Sequence, residues 1–140
     1  MTPPPLCVDS SFTLLLVLIE SRSARADALW DQWVQDDIER VVPPAYFVEG
    51  VSVIRNRVHR RLMTQQEGEE ALALFLSFPV TSVTLPNLPQ QAWDLATRYG
   101  LPQAYDAQYL AVATELGCDF WTGDGPLARS VGEPWVRLMA

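Results

Sequence analysis

The chain has 140 residues, of which 49% are hydrophobic and 19% are charged, and its formal net charge is −7. This composition is typical of a compact domain with a buried core, and it excludes a disordered chain and a protein that coats nucleic acid non-specifically. All ten basic residues are arginines, so the absence of lysine also excludes a P-loop, a Schiff-base enzyme and a phospho-receiver pocket.

No segment of the sequence has the features of a membrane span or a targeting signal. The longest apolar stretch, residues 12–19, is well short of the ~20 residues that cross a bilayer. The first residues, MTPPPLCVD, lack the basic start of a signal peptide. Cys7 and Cys118 have no metal-ligand spacing, which predicts buried, reduced thiols. We therefore expect one domain over residues 1–140, located in the cytoplasm and away from membranes.

In chain order, the first predicted element is a short apolar strand at residues 6–8, which ends on Asp9. Asp9 or Ser10 is a suitable helix N-cap, and the apolar stretch 12–19 then predicts a helix with little exposed surface. Apolar residues at helical spacing predict a second helix at 23–34.

The proline pair at positions 43–44 stops regular structure and precedes a predicted helix at 45–62. Glu49 lies in the first two turns of that helix, where the helix dipole favours an acid. The sequence TQQE at 64–67 is a capping box for a fourth helix, which Pro79 ends.

In the second half of the chain, alternating residues predict a strand at 80–85. Asn87 is the predicted cap of a fifth helix, and Gly100 is its predicted C′ residue. Residues 101–127 predict a helix, a tight turn, a strand and a second turn, and residues 135–139 predict a last short strand. This order of elements predicts an α/β fold, a three-layer α/β/α sandwich around a mainly parallel central sheet.

Four acidic residues fall at strand ends or helix beginnings: Asp9, Glu49, Asp106 and Asp124. Ligands of open α/β sheets bind beyond the carboxyl ends of the strands, so we expect the four acids to meet at that edge. Like charges in one site repel each other, and a divalent cation is the commonest reason for such a cluster. Oxygen ligands favour Mg²⁺ or Mn²⁺ over zinc, and Thr122 could orient one carboxylate. Taken singly, each acid could instead be a helix cap, a dipole partner or a turn residue.

The segments VDSSF, PPAYFVEG, YDAQYLAVATELG and WTGDGPLA resemble, in this order, the signature blocks of the PIN-domain family. The pattern is most similar to the VapC-type ribonuclease toxins of bacterial toxin–antitoxin pairs, and it extends over residues 7–131. The resemblance implies a PIN-like fold and an Mg²⁺- or Mn²⁺-dependent endoribonuclease that hydrolyses RNA. It also implies a homodimer and a small antitoxin protein as partner. The residues it carries over are the acidic tetrad Asp9, Glu49, Asp106 and Asp124 and the hydroxyl residue Thr122.

The sequence departs from the family pattern at two places. Ser52 stands where the family often has asparagine three residues after the glutamate, which predicts a different geometry on that side of the site. Gly125 and Pro126 stand where some members have a further acid, which predicts a lower metal affinity or fewer bound metal ions.

One basic cluster follows Glu49 on its predicted helix: Arg55, Arg57, Arg60 and Arg61. These arginines could position RNA phosphates beside the acids, or they could form a solvated helix face that complements the helix dipole. His59, in the same cluster, is predicted to belong to that surface and not to act as a general base.

Two other functions are compatible with the sequence. One is a catalytically silent PIN-like module that binds proteins and holds a structural ion, and the other is a DNA-directed metal-dependent nuclease. A phosphatase of the haloacid-dehalogenase type is disfavoured, because its D-x-D start and catalytic lysine are missing. Trp30 and Trp33 are predicted core or interface residues; exposed, they would form an apolar patch for a partner.

Overall fold

The computed structural model describes residues 2–140. Within them the strands are β1 (Leu6–Val8), β2 (Arg40–Val42), β3 (Thr81–Ser82), β4 (Phe120–Thr122) and β5 (Val136–Leu138). The helices are α1 (Ser10–Val17), α2 (Ser23–Gln35), α3 (Ala45–His59), α4 (Gln65–Ser77), α5 (Leu88–Tyr99), α6 (Tyr105–Leu116) and α7 (Gly125–Val131).

The five strands form one sheet in the order β3-β2-β1-β4-β5, and every neighbouring pair is parallel. Cys7 of β1 pairs with Val41 of β2 on one side and with Phe120 of β4 on the other. The helices flank this sheet, so the predicted three-layer α/β/α sandwich with a parallel sheet is confirmed. All carboxyl ends of parallel strands lie at one edge, and that edge positions the site.

Aromatic side chains fill the core between the sheet and α1 and α2. The rings of Phe12 and Trp33 are 5.1 Å apart, and those of Trp30 and Phe78 are 5.4 Å apart. Trp30 and Trp33 are buried, so they are core residues and not an exposed patch for a partner. Cys7 and Cys118 are also buried and free, as predicted.

Most helix boundaries follow the local signals in the sequence. Asp9 caps α1, and its side chain accepts a hydrogen bond from the backbone N–H of Phe12 at 2.9 Å. The capping box of α4 is present, with reciprocal bonds between Thr64 and Glu67. Gly100 ends α5 with a φ of 64°, a left-handed conformation that favours glycine. Within residues 2–140, no helix is long and apolar enough to cross a membrane.

Several boundaries differ from the sequence predictions. The apolar helix spans Ser10–Val17 and not residues 12–19, and Ile19 is fully exposed beyond its end. The third helix ends at His59 and not at position 62, and Asn87 occupies the N-cap of α5 without a side-chain hydrogen bond.

Three short elements also differ from prediction. β2 has no alternating pattern of its own and is defined by pairing with β1 and β3. The strand predicted at 80–85 shrinks to the two exposed residues of β3. The turn predicted after β4 is the start of α7, which has proline in its first turn, where the missing N–H is harmless.

Candidate active site

The four predicted acids line one cleft of about 620 Å³ at the carboxyl edge of the sheet. Asp9 directly follows β1, and Glu49 lies on α3. Asp106 is in the first turn of α6, and Asp124 is the N-cap of α7. Four separate elements therefore bring their acidic side chains to the same cavity.

Asp9 is almost fully buried, and both of its carboxylate oxygens accept hydrogen bonds. Oδ1 accepts from the Ser11 hydroxyl at 2.6 Å and from the backbone N–H of Phe12 at 2.9 Å, and Oδ2 accepts from the Thr122 hydroxyl at 2.5 Å. Burial raises the pKa of Asp9 to about 6, and the charge of Asp106 adds to this, although the three hydrogen bonds oppose it. Asp9 is thus rigidly oriented but costly to ionise without a nearby cation.

The turn between β4 and α7 completes this side of the site. The Thr122 hydroxyl accepts a hydrogen bond from the backbone N–H of Asp124 at 3.0 Å, and the N–H of Gly123 donates to the Ser11 hydroxyl at 2.9 Å. A Cβ atom at position 123 would lie 3.0 Å from the Ser11 carbonyl oxygen, so glycine permits this close approach. Asp124 Oδ1 accepts from the N–H of Leu127 at 3.1 Å and so caps α7.

Glu49 is held less completely than Asp9. Its Oε2 accepts a hydrogen bond from the Tyr109 hydroxyl at 2.7 Å, with a longer one from Ser10 at 3.4 Å. Its Oε1 is buried and has no hydrogen-bond partner among residues 2–140. Burial raises the pKa of Glu49 to about 7, with added repulsion from Asp106 and Asp9. A buried carboxylate oxygen without a partner is unfavourable, and a proton or a cation would satisfy it.

The chemistry of these donors fits a hard divalent cation. All four acids present oxygen atoms, and burial together with the charge of Asp124 raises the pKa of Asp106. In the part of the chain that the structure describes, however, no three acidic, histidine or cysteine side chains are close enough together to hold an ion directly. Oxygen ligands of this kind suit a hard cation such as Mg²⁺, which usually keeps several of its waters.

Comparison with known proteins decides the family. A family model described as "PIN domain" matches residues 6–130. The chain belongs to the PIN-domain family. It is similar to "Ribonuclease VapC12" of Mycobacterium tuberculosis (strain CDC 1551 / Oshkosh), with 38% identity over 95 residues, which are 67% of this chain and 71% of the relative. The protein of the same name from strain ATCC 25618 / H37Rv matches with the same values.

Two solved structures share the fold of this PIN domain. PAE2754 from Pyrobaculum aerophilum has a TM-score of 0.65 and 21% identity, with 90% of this chain and 78% of that chain covered. Mycobacterium tuberculosis VapC20, described as a sarcin-ricin loop cleaving toxin, has a TM-score of 0.66 and 23% identity, with 94% and 98% covered. The predicted PIN-domain resemblance, of VapC type, is therefore confirmed.

Three residues that support the PIN-domain site were not predicted from the sequence. Each of them hydrogen-bonds an acid of the cleft or the turn after β4. Ser11 could have been found, because a hydroxyl two residues after an aspartate commonly bonds locally. Tyr109 follows Asp106 by three residues on α6, so the two share a helix face. Arg22 gave no local signal, yet its Nη1 donates to the Gly123 carbonyl at 2.9 Å and to the Met139 carbonyl at 3.1 Å.

The structure separates the arginines that the sequence grouped together. Arg57 lines a neighbouring cleft of about 310 Å³, which shares Ser10, Ser11 and Val53 with the acidic cleft. Arg55 instead donates to Gln65 of α4 at 3.4 Å, on another side of α3. The remaining basic residues are exposed at the end of α3 and beyond it: His59, Arg60 and Arg61. Ser52 lines the acidic cleft near Glu49.

Proposed function

We propose that this PIN domain is a metal-dependent endoribonuclease of VapC type, which hydrolyses RNA phosphodiester bonds as the toxin of a toxin–antitoxin pair. The observation that carries the proposal is the single cleft lined by Asp9, Glu49, Asp106 and Asp124. Membership of the PIN-domain family and the 38% identity to a ribonuclease named VapC12 support it.

The four acids would hold Mg²⁺ or Mn²⁺, in part through water. When bound, such an ion would lower the pKa of an attacking water molecule and neutralise negative charge on the phosphate. Thr122 and Ser11 fix the orientation of Asp9 through both of its oxygens. Without a cation, the grouped carboxylates would repel an RNA phosphate, so we expect substrate binding at the cleft to depend on the ion as well.

The proposed partners follow the same assignment. RNA is the substrate, and a second copy of the chain and a small antitoxin protein are the protein partners. The net charge of −7 favours an antitoxin segment that brings basic side chains to the acidic cleft. We also propose that residues 1–140 act as one domain and that the protein works in the cytoplasm.

The first experiment is a cleavage assay on structured and single-stranded RNAs with Mn²⁺ or with a chelator. We expect cleavage with Mn²⁺, none in the chelator, and near-background activity for Asp9→Asn and Asp106→Asn. Asp94→Asn is the matched control, because Asp94 is an exposed acid on α5 that bonds Gln90. Full cleavage by the Asp9→Asn protein would contradict the assignment.

The second candidate is a catalytically silent protein-binding module, in which the same acids would hold only a structural ion. Mn²⁺ binding by calorimetry, measured beside the cleavage assay, separates the two functions, because the silent module would bind the ion and cleave nothing. DNA oligonucleotides in the same assay test the DNA-directed alternative.

A further inference from the structure

Tyr109 occupies an unusual position between the sheet and the acidic cleft. Its side chain is fully buried, and its ring stacks on Phe120 of β4 with the centroids 5.6 Å apart and the planes 10° apart. Its backbone carbonyl accepts a bond from the thiol of Cys7 of β1 at 3.8 Å. Tyr109 is therefore held by the central strand β1 and its neighbour β4.

Among residues 2–140, the hydroxyl of Tyr109 has one hydrogen-bond partner, and that partner is an acid of the cleft. It donates to Glu49 Oε2 at 2.7 Å, which links α6 to α3 across 60 positions of sequence. The other donor to Oε2, Ser10, is at the long distance of 3.4 Å. Without the tyrosine hydroxyl, Glu49 would thus lose its one short hydrogen bond within the described chain.

The state of the second carboxylate oxygen of Glu49, Oε1, indicates a role for the hydrogen bond from Tyr109. Oε1 is buried and unpaired among residues 2–140, so one oxygen of the carboxylate is anchored while the other has no protein donor. Carboxylates that hold metal ions are commonly oriented in this way by a hydrogen bond on the oxygen that does not face the ion.

We propose that Tyr109 is a positioning residue for the metal site: it anchors Oε2 of Glu49 so that Oε1 is available to the cation. This inference rests on the proposed metal-dependent function and adds to it a residue outside the acidic tetrad. α6 then contributes twice to the site, through Asp106 and through Tyr109 three residues later on the same face.

The test is Mn²⁺ titration by calorimetry of the wild-type protein, Tyr109→Phe and Tyr46→Phe. Phenylalanine keeps the ring on Phe120, and circular dichroism checks that the variants fold. We expect Tyr109→Phe to weaken Mn²⁺ binding by ~10–100-fold, the usual effect of removing such an orienting bond.

Tyr46→Phe is a closely matched control. Tyr46 is also buried and stacked, on Phe75 at 5.0 Å, and its hydroxyl donates to Thr13 at 3.0 Å. It also lies on α3, three residues before Glu49, so it reports any general disturbance of that helix. We expect its Mn²⁺ affinity to equal that of the wild type.

The outcomes separate this inference from the function on which it rests. Wild-type protein that binds no Mn²⁺ would overturn the proposed metal site as a whole. Wild-type binding with unchanged affinity in Tyr109→Phe, or with equal losses in both tyrosine variants, would overturn the positioning role alone. In a Glu49→Ala background, Tyr109→Phe should cause no further loss of affinity, because the carboxylate through which it acts is gone.

Discussion

The two sides of the acidic cleft are built differently. The strand side is defined as Asp9, Ser11, Thr122 and Asp124. It lies at the carboxyl ends of the neighbouring strands β1 and β4 and at the starts of the helices that follow them, α1 and α7. Every oxygen of its central carboxylate, Asp9, has a short hydrogen bond. The helix side, defined as Glu49, Asp106 and Tyr109, lies on α3 and α6. One buried oxygen of its central carboxylate, Glu49, has no hydrogen-bond partner in the described part of the chain.

This difference concerns how completely each buried carboxylate is hydrogen-bonded. On the strand side, the hydrogen bonds offset the cost of burying Asp9 and fix its direction. On the helix side, the incomplete pairing of Glu49 leaves a cost that a cation would relieve. The strand side therefore determines the position of the site. We propose that the helix side contributes to the affinity of the site for the cation.

The largest expected effect comes from Thr122→Val, which removes two hydrogen bonds from the strand side. Valine has the shape of threonine, but it removes the donor to Asp9 and the acceptor for the N–H of Asp124, all in a fully buried position. We expect a loss of about 2–4 kcal/mol in the free energy of unfolding and a strong loss of RNA cleavage. Urea denaturation of the metal-free protein measures the first, and the cleavage assay measures the second.

Ser10→Ala is the control for this substitution on the helix side. Its hydroxyl is 3.4 Å from Glu49 Oε2, so its removal should cost under about 1 kcal/mol. Equal losses from both substitutions would show that the two sides are not held differently.

An effect of comparable size is expected from pH, and it separates the central acids of the two sides. The folded-state pKa is raised to about 6 for Asp9 and to about 7 for Glu49, in both cases chiefly by burial. The folded protein therefore binds protons more tightly than the unfolded chain. These two groups stabilise the metal-free fold below about pH 4, and that contribution is lost as the pH rises through their folded-state values.

We expect the metal-free protein to lose stability between about pH 4 and about pH 7 in denaturation experiments. Asp9→Asn should remove the lower part of this dependence, on the order of 3 kcal/mol, and Glu49→Gln the upper part. Excess Mn²⁺ should reduce the loss at high pH, since an ion that binds only the folded state stabilises it. A stability that rises over this pH range would contradict the raised values.

The smallest effect tests whether the site extends outward along α3. In an Asp9→Asn background, which prevents cleavage, Arg57→Ala should lower the salt dependence of RNA binding by about 0.7 in the slope of log K against log salt. Arg55→Ala, on the side of α3 that faces Gln65, is the matched control and should leave the slope unchanged. Equal slopes for wild type and Arg57→Ala would favour the simple solvated-surface interpretation.

The contrast between the two sides also explains what the sequence could predict. On the strand side, Asp9, Thr122 and Asp124 follow short apolar strands, and adjacent parallel strands bring their ends together, so local patterns suffice. On the helix side, the bond between Tyr109 and Glu49 depends on how α6 lies relative to α3, which no local pattern specifies.

The fold shows the same limit. The parallel sandwich was predictable from the order of apolar strands and amphipathic helices. β2 was not, because three residues ahead of a proline pair form a strand only where β1 and β3 pair with them. α7 was not predicted either, because a seven-residue helix that starts with Gly125 and Pro126 looks like the turn that was expected there.

The hydroxyl of Thr122 has one further consequence. It accepts from the N–H of Asp124 and donates to Asp9, so the direction of its O–H bond is already fixed by its neighbours. A dipole fixed at folding needs no reorganisation when charge changes nearby, which is the condition for efficient electrostatic stabilisation of a reaction. In this protein, a single side chain on β4, the neighbour of the central strand, replaces that part of the solvent response.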